Sequence, residues 1–257
     1  MKKYYANLTL VIILAIGLAS CTQKGGRNQA QSLYAELDQD AAPNNLTEQE
    51  KDNGWKLLFD GNSTEGWEGY NMDTFPDFCW KIENGSLTMT TRGKGESLSI
   101  ISKDTYTDFA LSVEVKLTEG ANSGVLFDVV EDTAYEYAYE TGPEFQIIDH
   151  ENWGSPLEDW QIMGANYAMY PPLKRPYKEI GEWNHMLLVV DGNKVTQMLN
   201  GEMVVEYDKY SDDWDVKRNS GKWDEYPDWG KSDEGHIALQ NHGTKVWFRD
   251  IKLKELD

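Results

Sequence analysis

The chain has 257 residues, with 24 Lys and Arg against 44 Asp and Glu, for a formal net charge of −20. A surface this acidic repels phosphate backbones and anionic lipid, which excludes nucleic acid as a partner and leaves no electrostatic route to a membrane. Only two cysteines occur, Cys21 and Cys79, so a disulfide framework is excluded if Cys21 is otherwise engaged.

The first residues are basic, Met1-Lys2-Lys3, and Leu8 to Leu18 follow as an apolar stretch. That length is short for a membrane span and suits a signal-peptide core. Leu18-Ala19-Ser20-Cys21 resembles the lipobox cut by lipoprotein signal peptidase. Residues 1–20 are therefore read as a lipoprotein signal peptide and Cys21 as the lipidation site. The anchor would be acyl chains, with no spanning helix. The expected address is the cell envelope, with the outer membrane facing the periplasm favoured, because Thr22-Gln23-Lys24 lacks an acidic surface-export run. Residues 21–50 are polar and poor in aromatics and read as a flexible tether, with Thr47 a plausible helix cap. No long amphipathic helix is expected.

From residue 51 to 257 the pattern is one domain of short strands with turn punctuation. Asn84-Gly85 separates Phe78 to Ile82 from Leu87 to Thr90, a type I′ hairpin signature. Phe109, Leu111, Val113, Val115 and Leu117 alternate with Ala110, Ser112, Glu114 and Lys116, giving a strand with one wet face. Strands are read at 125–130, 144–148, 186–190, 195–199, 236–240 and 245–256, with Asp191-Gly192 and Asn200-Gly201 as turns. Many short strands at regular spacing predict an all-β sandwich or jelly roll. Cys79, in Phe78-Cys79-Trp80, reads as a buried small hydrophobe. Two long stretches interrupt the rhythm. Residues 152–180 carry four prolines with Trp153 and Trp160, and residues 207–231 carry Trp214, Trp223 and Trp229 among many Asp. Their rings serve either as platforms for sugar faces or as local core.

Residues Trp55 to Leu256 resemble the 3-keto-disaccharide hydrolase family. The resemblance is carried by Leu58-Phe59-Asp60-Gly61 with Gly66-Trp67, by Glu144-Phe145-Gln146-Ile147-Ile148-Asp149, and by Gly181-Glu182-Trp183-Asn184 with Leu199-Asn200-Gly201. Its last pieces are Gly235 to Gly243, reading Gly-His-Ile-Ala-Leu-Gln-Asn-His-Gly, and Val246 to Ile251. It implies a concanavalin A-like jelly-roll β-sandwich of two antiparallel sheets. It also implies action on small glycosides whose sugar is already oxidised to a ketone at C3, and functional partnership with a separate sugar oxidoreductase.

A retaining glycosidase needs two carboxyl groups about 5 to 5.5 Å apart, which jelly-roll glucanases place in a Glu-x-Asp-x-x-Glu strand. The corresponding strand here reads Glu144-x-Gln146-x-x-Asp149, without the middle acid. A C3 ketone offers another route, because it acidifies the C2 proton. A base removes that proton, the C1 substituent is eliminated, and water adds. Glu144 and Gln146 share strand parity and so one face, expected to be the open concave one. Glu144 is the expected base, and His150 and His242 are further proton-transfer candidates. Gln146, Asp149, Gln240, Arg249, Lys174 and Trp153 are the expected substrate contacts. His185 and His236 read as structural. Arg249 shares the parity of Ile251 and Leu253, and should have a partner, since an unpaired buried charge is costly. The C3 oxygen needs hydrogen-bond donors or a metal, and no cofactor is assigned. A divalent metal held by Glu144, Asp149, His150 and His242 stays open, although tight ligand spacing is absent. The competing reading is a carbohydrate-binding lipoprotein that uses the same groove without chemistry.

Overall fold

A computed structural model describes residues 16–89 and 98–256, with side chains from residue 26 onward. Residues 1–15, which hold most of the signal-peptide core, and the Cys21 side chain lie outside the described residues. Thirteen strands follow in chain order. They are β1 (Lys56–Leu57), β2 (Trp67–Gly69), β3 (Trp80–Glu83), β4 (Ser86–Met89), β5 (Ile100–Tyr106), β6 (Phe109–Leu117) and β7 (Asn122–Val129). Then come β8 (Glu144–Ile148), β9 (Trp183–Asp191), β10 (Lys194–Leu199), β11 (Glu202–Asp208), β12 (Gly235–Leu239) and β13 (Val246–Glu255). Helices α1 (Ile16–Glu36), α2 (Glu48–Asp52) and α3 (Asp212–Arg218) accompany them.

The strands form two antiparallel sheets. The first runs β11-β10-β9-β6-β13-β4-β3, with β1 also paired to β13, and the second runs β2-β5-β12-β7-β8. The turn chemistry acts as its residues dictate. Asn84 and Gly85 both take positive φ, 51° and 72°, and join β3 to β4 with Glu83 opposite Ser86, as a type I′ turn requires. Between the sheets, period-two alternation buries Trp80, Phe109, Phe127, Phe145 and Phe248 in one core. Truncating any of these would cost about 3–5 kcal/mol. Cys79 is fully buried in the same core, as its apolar neighbours suggest.

The N-terminal stretch corrects two expectations. Residues 26–55 are not a free tether, and α1 is a long helix that lies on the outer face of the first sheet. Its Ala30 and Leu33, with Leu37 just beyond, pack on Ala110, Leu187, Val189 and Met198. Glu36 binds the Trp55 indole N–H at 3.0 Å and Lys254 at 2.8 Å. Further along, Thr47 and Glu50 close a capping box on α2, and buried Glu50 pairs with Lys252 at 2.8 Å. The predicted wet face of β6 is thereby partly dry, with Ala110 and Ser112 buried. His185 donates to or accepts from Ser112 Oγ at 2.8 Å beneath this cover. Burial lowers its pKa to about 4, so it is a neutral structural histidine.

The aromatic residues of the second long loop are local core. Trp214, Trp223 and Trp229 are buried, and the rings of Tyr170, Tyr207, Trp214, Trp229 and Trp223 stack in series with interplanar angles of 15° or less. Arg218 ties this block together, donating to the carbonyls of Tyr226, Pro227 and Trp229. The outer face of the second sheet is the surface these loops surround.

Candidate active site

Strand register decides what that outer face carries. Phe145 and Ile147 of β8 point into the core, so Glu144 and Gln146 point outward, as strand parity predicts. Glu144 stands opposite Leu126 of β7, and Gln146 opposite Gly124. On the other side of β7, Ala238 of β12 stands opposite Leu126. The Gln240 N–H donates to the Gly124 carbonyl at 2.9 Å, continuing the row toward His242. Gly124 is needed here because the Glu144 side chain lies across it. A Cβ at that position would stand 2.6 Å from Glu144 Cγ and 2.8 Å from its carboxyl carbon.

A groove of about 580 Å³ runs along this face, lined by Tyr70, Leu98, Leu126, Tyr137, Tyr139, Gln240, Asn241 and His242 among others. Its aromatic wall is the 130–142 segment, in which Tyr137 and Tyr139 stack with centroids 5.2 Å apart. That wall is pinned from below. Tyr70 donates to the Val130 carbonyl at 3.1 Å, and Asn71 donates to Glu131 and to the Tyr135 carbonyl. The opposite wall is polar. Asn241 is buried, its Oδ1 accepts from Gly243 N–H at 3.0 Å, and its Nδ2 has no acceptor among the described residues. A buried donor left open at a groove wall is suited to a substrate hydroxyl. His242 stands beside Trp153, their rings edge to face at 6.5 Å.

Glu144 is the chemically distinctive residue of the face. It is 4% exposed, and its carboxylate has no hydrogen-bond donor among the described residues. Burial pushes its pKa up to about 7, and the Lys222 charge pulls it partly back. Lys222 is held on the faces of Tyr139, Tyr167 and Trp223, with its amine 4.9, 4.5 and 4.4 Å from the ring centroids. Desolvation lowers the lysine pKa, against the pull of Glu144. The edge beyond β8 is closed by the 163–170 segment, whose Tyr167 N–H donates to the Glu144 carbonyl at 3.0 Å.

The expected site residues divide sharply. Gln240 and His242 line the groove, Glu144 stands across from the lining residue Leu126, and Trp153 touches His242. Gln146 shares the face, but its amide is used internally. Its Oε1 accepts from Ile147 N–H at 3.0 Å and its Nε2 donates to the Gln161 carbonyl at 3.3 Å. It shapes the loop beside Glu144 and is corrected as a direct sugar contact. The Asp149 carboxylate is likewise spent, accepting from Gly120 N–H and from the backbone and side chain of Asn152. His150 lines a different cavity, of about 270 Å³, with Tyr177 and Asn184. Its Nε2 lies 3.1 Å from Tyr177 Oη, and burial lowers its pKa. Lys174 pairs with Glu202 on the surface. Arg249 belongs to the first sheet, where it bonds Glu114 at 2.6 Å and stacks on Trp183 at 3.9 Å. The expectation of a partner for Arg249 holds, but its parity does not. Asp250, at φ 50°, sits in a register shift of β13 and turns Arg249 away from the core series.

Glu144, Asp149, His150 and His242 do not converge. Among the described residues, no group of three His, Cys, Asp or Glu side chains is arranged to hold a metal ion, so the open metal reading does not fit the set from which it was built. Four contributors carry no clear mark in the sequence. Asn241 lies inside the Gln-Asn-His-Gly run, and Tyr137 and Tyr139 alternate in Ala134 to Glu140. Lys222 is one cation in an acidic stretch and carries no local signal.

An antiparallel jelly-roll sandwich with a buried, charge-coupled carboxylate near an aromatic-walled groove suits a carbohydrate-active protein. Residues 54–254 match the family described as the 3-keto-alpha-glucoside-1,2-lyase-like domain, and the chain belongs to that family. It is 29% identical to the 3-keto-disaccharide hydrolase of Bacteroides thetaiotaomicron, over all of both chains. A solved candidate glycosyl hydrolase from Parabacteroides distasonis is 38% identical with a TM-score of 0.79, covering 84% of this chain and all of that one. A second from the same organism is 29% identical with a TM-score of 0.60, covering 79% of this chain and 99% of its own.

Proposed function

We propose that this protein cleaves 3-keto-glycosides by removing the C2 proton, eliminating the C1 substituent and adding water. The observation that carries this reading is the isolation of Glu144. A double displacement needs a second carboxyl about 5 to 5.5 Å away. The neighbouring positions on this strand offer instead an internally bonded amide at Gln146 and a carboxylate at Asp149 already taken by Gly120 and Asn152. One buried carboxylate with a pKa near 7 suits a general base working at neutral pH.

In this scheme Glu144 takes the C2 proton as the C3 carbonyl accepts the electron pair. The resulting enolate reforms the carbonyl as the C1–O bond breaks, leaving a C1–C2 double bond. Water then adds across it, hydroxyl to C1 and proton to C2. Gln240, Asn241 Nδ2 and His242 hold sugar hydroxyls, and the Tyr137–Tyr139 wall takes a sugar or aglycone face. The substrate ketone must be made by a separate oxidoreductase. Lipidation at Cys21 and a position facing the periplasm complete the reading, and loss of radiolabelled-lipid incorporation in Cys21→Ser checks the anchor.

The test of the activity uses aryl glycosides oxidised at C3. The expected result is aryl release together with exchange of the C2 proton into deuterated water. Tight binding of both anomers with neither release nor exchange would establish the carbohydrate-binding alternative in its place.

A further inference from the structure

Lys222 stands in the run Gly221-Lys222-Trp223-Asp224-Glu225, with two carboxylates within reach along the chain. It nevertheless makes no hydrogen bond or ion pair among the described residues. Its amine turns onto three ring faces that come from three separate segments, Tyr139, Tyr167 and Trp223. Those rings are themselves held. Trp223 Nε1 donates to the Tyr167 carbonyl at 3.2 Å, and Tyr139 packs edge to face on Tyr226 at 5.8 Å. Tyr139 also lines the groove, so the cage shares a wall with the substrate space.

Ring faces attract an ammonium without taking its hydrogens, which leaves three N–H donors for another group. Glu144 offers the complementary charge, a buried carboxylate without a donor among the described residues. The two feel each other's charge but neither is saturated by the other. A structural ion pair would be hydrogen-bonded, as buried Lys209 and Asp128 are at 2.8 Å, with Ser232 and Asp233 completing the lysine. The Lys222–Glu144 pair is left open, and an open pair is suited to closing on a ligand.

We propose that Lys222 is a catalytic residue whose ammonium binds the substrate's C3 oxygen and receives the negative charge that develops there. This rests on the 3-keto-glycoside reading. Before reaction, the site holds one carboxylate and one ammonium. When Glu144 takes the C2 proton, the C–H electron pair forms the C2–C3 double bond, and the carbonyl π pair moves to the C3 oxygen. The carboxyl is then neutral and the oxygen is anionic. The total charge is unchanged, and the ammonium whose charge acted on the carboxylate now acts on the enolate. Such a preorganised charge costs little reorganisation during the step. The following elimination returns the pair from the C3 oxygen to the carbonyl, pushes electrons into the C1–C2 bond, and releases the aglycone oxygen, which takes up the proton that Glu144 removed from C2 and so restores the carboxylate.

The test compares wild type with Lys222→Met, Lys222→Gln and Lys222→Arg on an oxidised aryl glycoside, following kcat, KM, C2 deuterium exchange and pH dependence. Removing the charge should lower kcat and exchange together by about 10²–10³-fold, the scale of one lost oxyanion donor, with little change in KM. It should also move the acid limb of the profile to higher pH, because Glu144 loses the charge that holds its pKa down. Arginine should recover part of kcat, since it stacks on rings and keeps the charge. Near-wild-type kcat in either neutral variant, or a loss confined to KM with the acid limb unmoved, would overturn the role. If the Met variant does not fold, the Gln and Arg variants decide between them. Wild type that neither exchanges nor releases would instead defeat the underlying activity.

Discussion

Glu144 lies across Gly124, one strand away, in space that any side chain on Gly124 would occupy. A Cβ there would stand 2.6 Å from Glu144 Cγ, so something must move. The strand backbone is fixed by β8 on one side and β12 on the other, whereas the carboxylate ends a flexible side chain without hydrogen bonds. In Gly124→Ala the carboxylate should therefore be displaced and the sheet retained. A misplacement of about 1 Å in a reacting group costs on the order of 10²-fold. The expected outcome is a loss of kcat of that order with an unchanged circular dichroism spectrum. Full activity would remove Glu144 from the chemistry.

The raised pKa of Glu144 makes opposite demands on activity and stability. As a base it must be ionised, so kcat should rise with pH through about 7. In the unfolded chain the same carboxyl ionises near its ordinary value of 4.5. Between these values the folded state keeps a proton that the unfolded state has released, so this residue's contribution to stability falls as pH rises. Above pH 7 the penalty is complete. Glu144→Gln abolishes it and should be more stable than wild type at pH 8 by about 3 kcal/mol, with the difference gone by pH 4. Denaturant titrations at the two pH values measure this, alongside loss of turnover.

Arg249 sits on the first sheet, paired with Glu114 and stacked on Trp183, while the groove lies on the outer face of the second. Arg249→Met should leave kcat/KM within about twofold of wild type. Its cost is stability, about 1 kcal/mol for a partly exposed ion pair with a cation–π contact, readable as a shift in thermal midpoint. A large fall in kcat would return Arg249 to the site.

What could be read ahead of the structure depended on how local the determinant was. The Asn84-Gly85 turn and the outward parity of Glu144 follow from residues a few positions apart: the turn holds because both residues take positive φ, and the parity because β8 pairs β7 without a register shift. The parity of Arg249 failed on one backbone angle, that of Asp250, which alternation of side chains does not reveal. His150 was expected to aim at the groove, but Asp149 spends its carboxylate on Gly120 and Asn152, and the turn they form presents His150 to another cavity. Lys222 acquires its meaning from three rings 55 and 83 residues away and next door in sequence, at Tyr167, Tyr139 and Trp223, and nothing local marks it.

The N-terminal segment shows the same dependence on partners distant in sequence, and it supplies the last prediction. α1 has too few apolar residues to announce itself, because most of the hydrophobic surface it needs is supplied by the sheet. Ala30, Leu33 and Leu37 cover Ala110, Leu187, Val189, Met198 and Met203, Tyr34 packs edge to face on His185 at 5.1 Å, and Glu36 serves both Trp55 and Lys254. Burying Leu33 and Leu37 alone is worth about 2 kcal/mol each. A chain beginning at residue 46 should therefore melt at least about 5 °C below one beginning at residue 26. It should also self-associate through the uncovered sheet face. Since the groove lies on the other sheet, turnover per folded molecule should stay the same in both. Equal melting temperatures would restore the flexible tether, and calorimetry with sedimentation on the two chains distinguishes the outcomes directly.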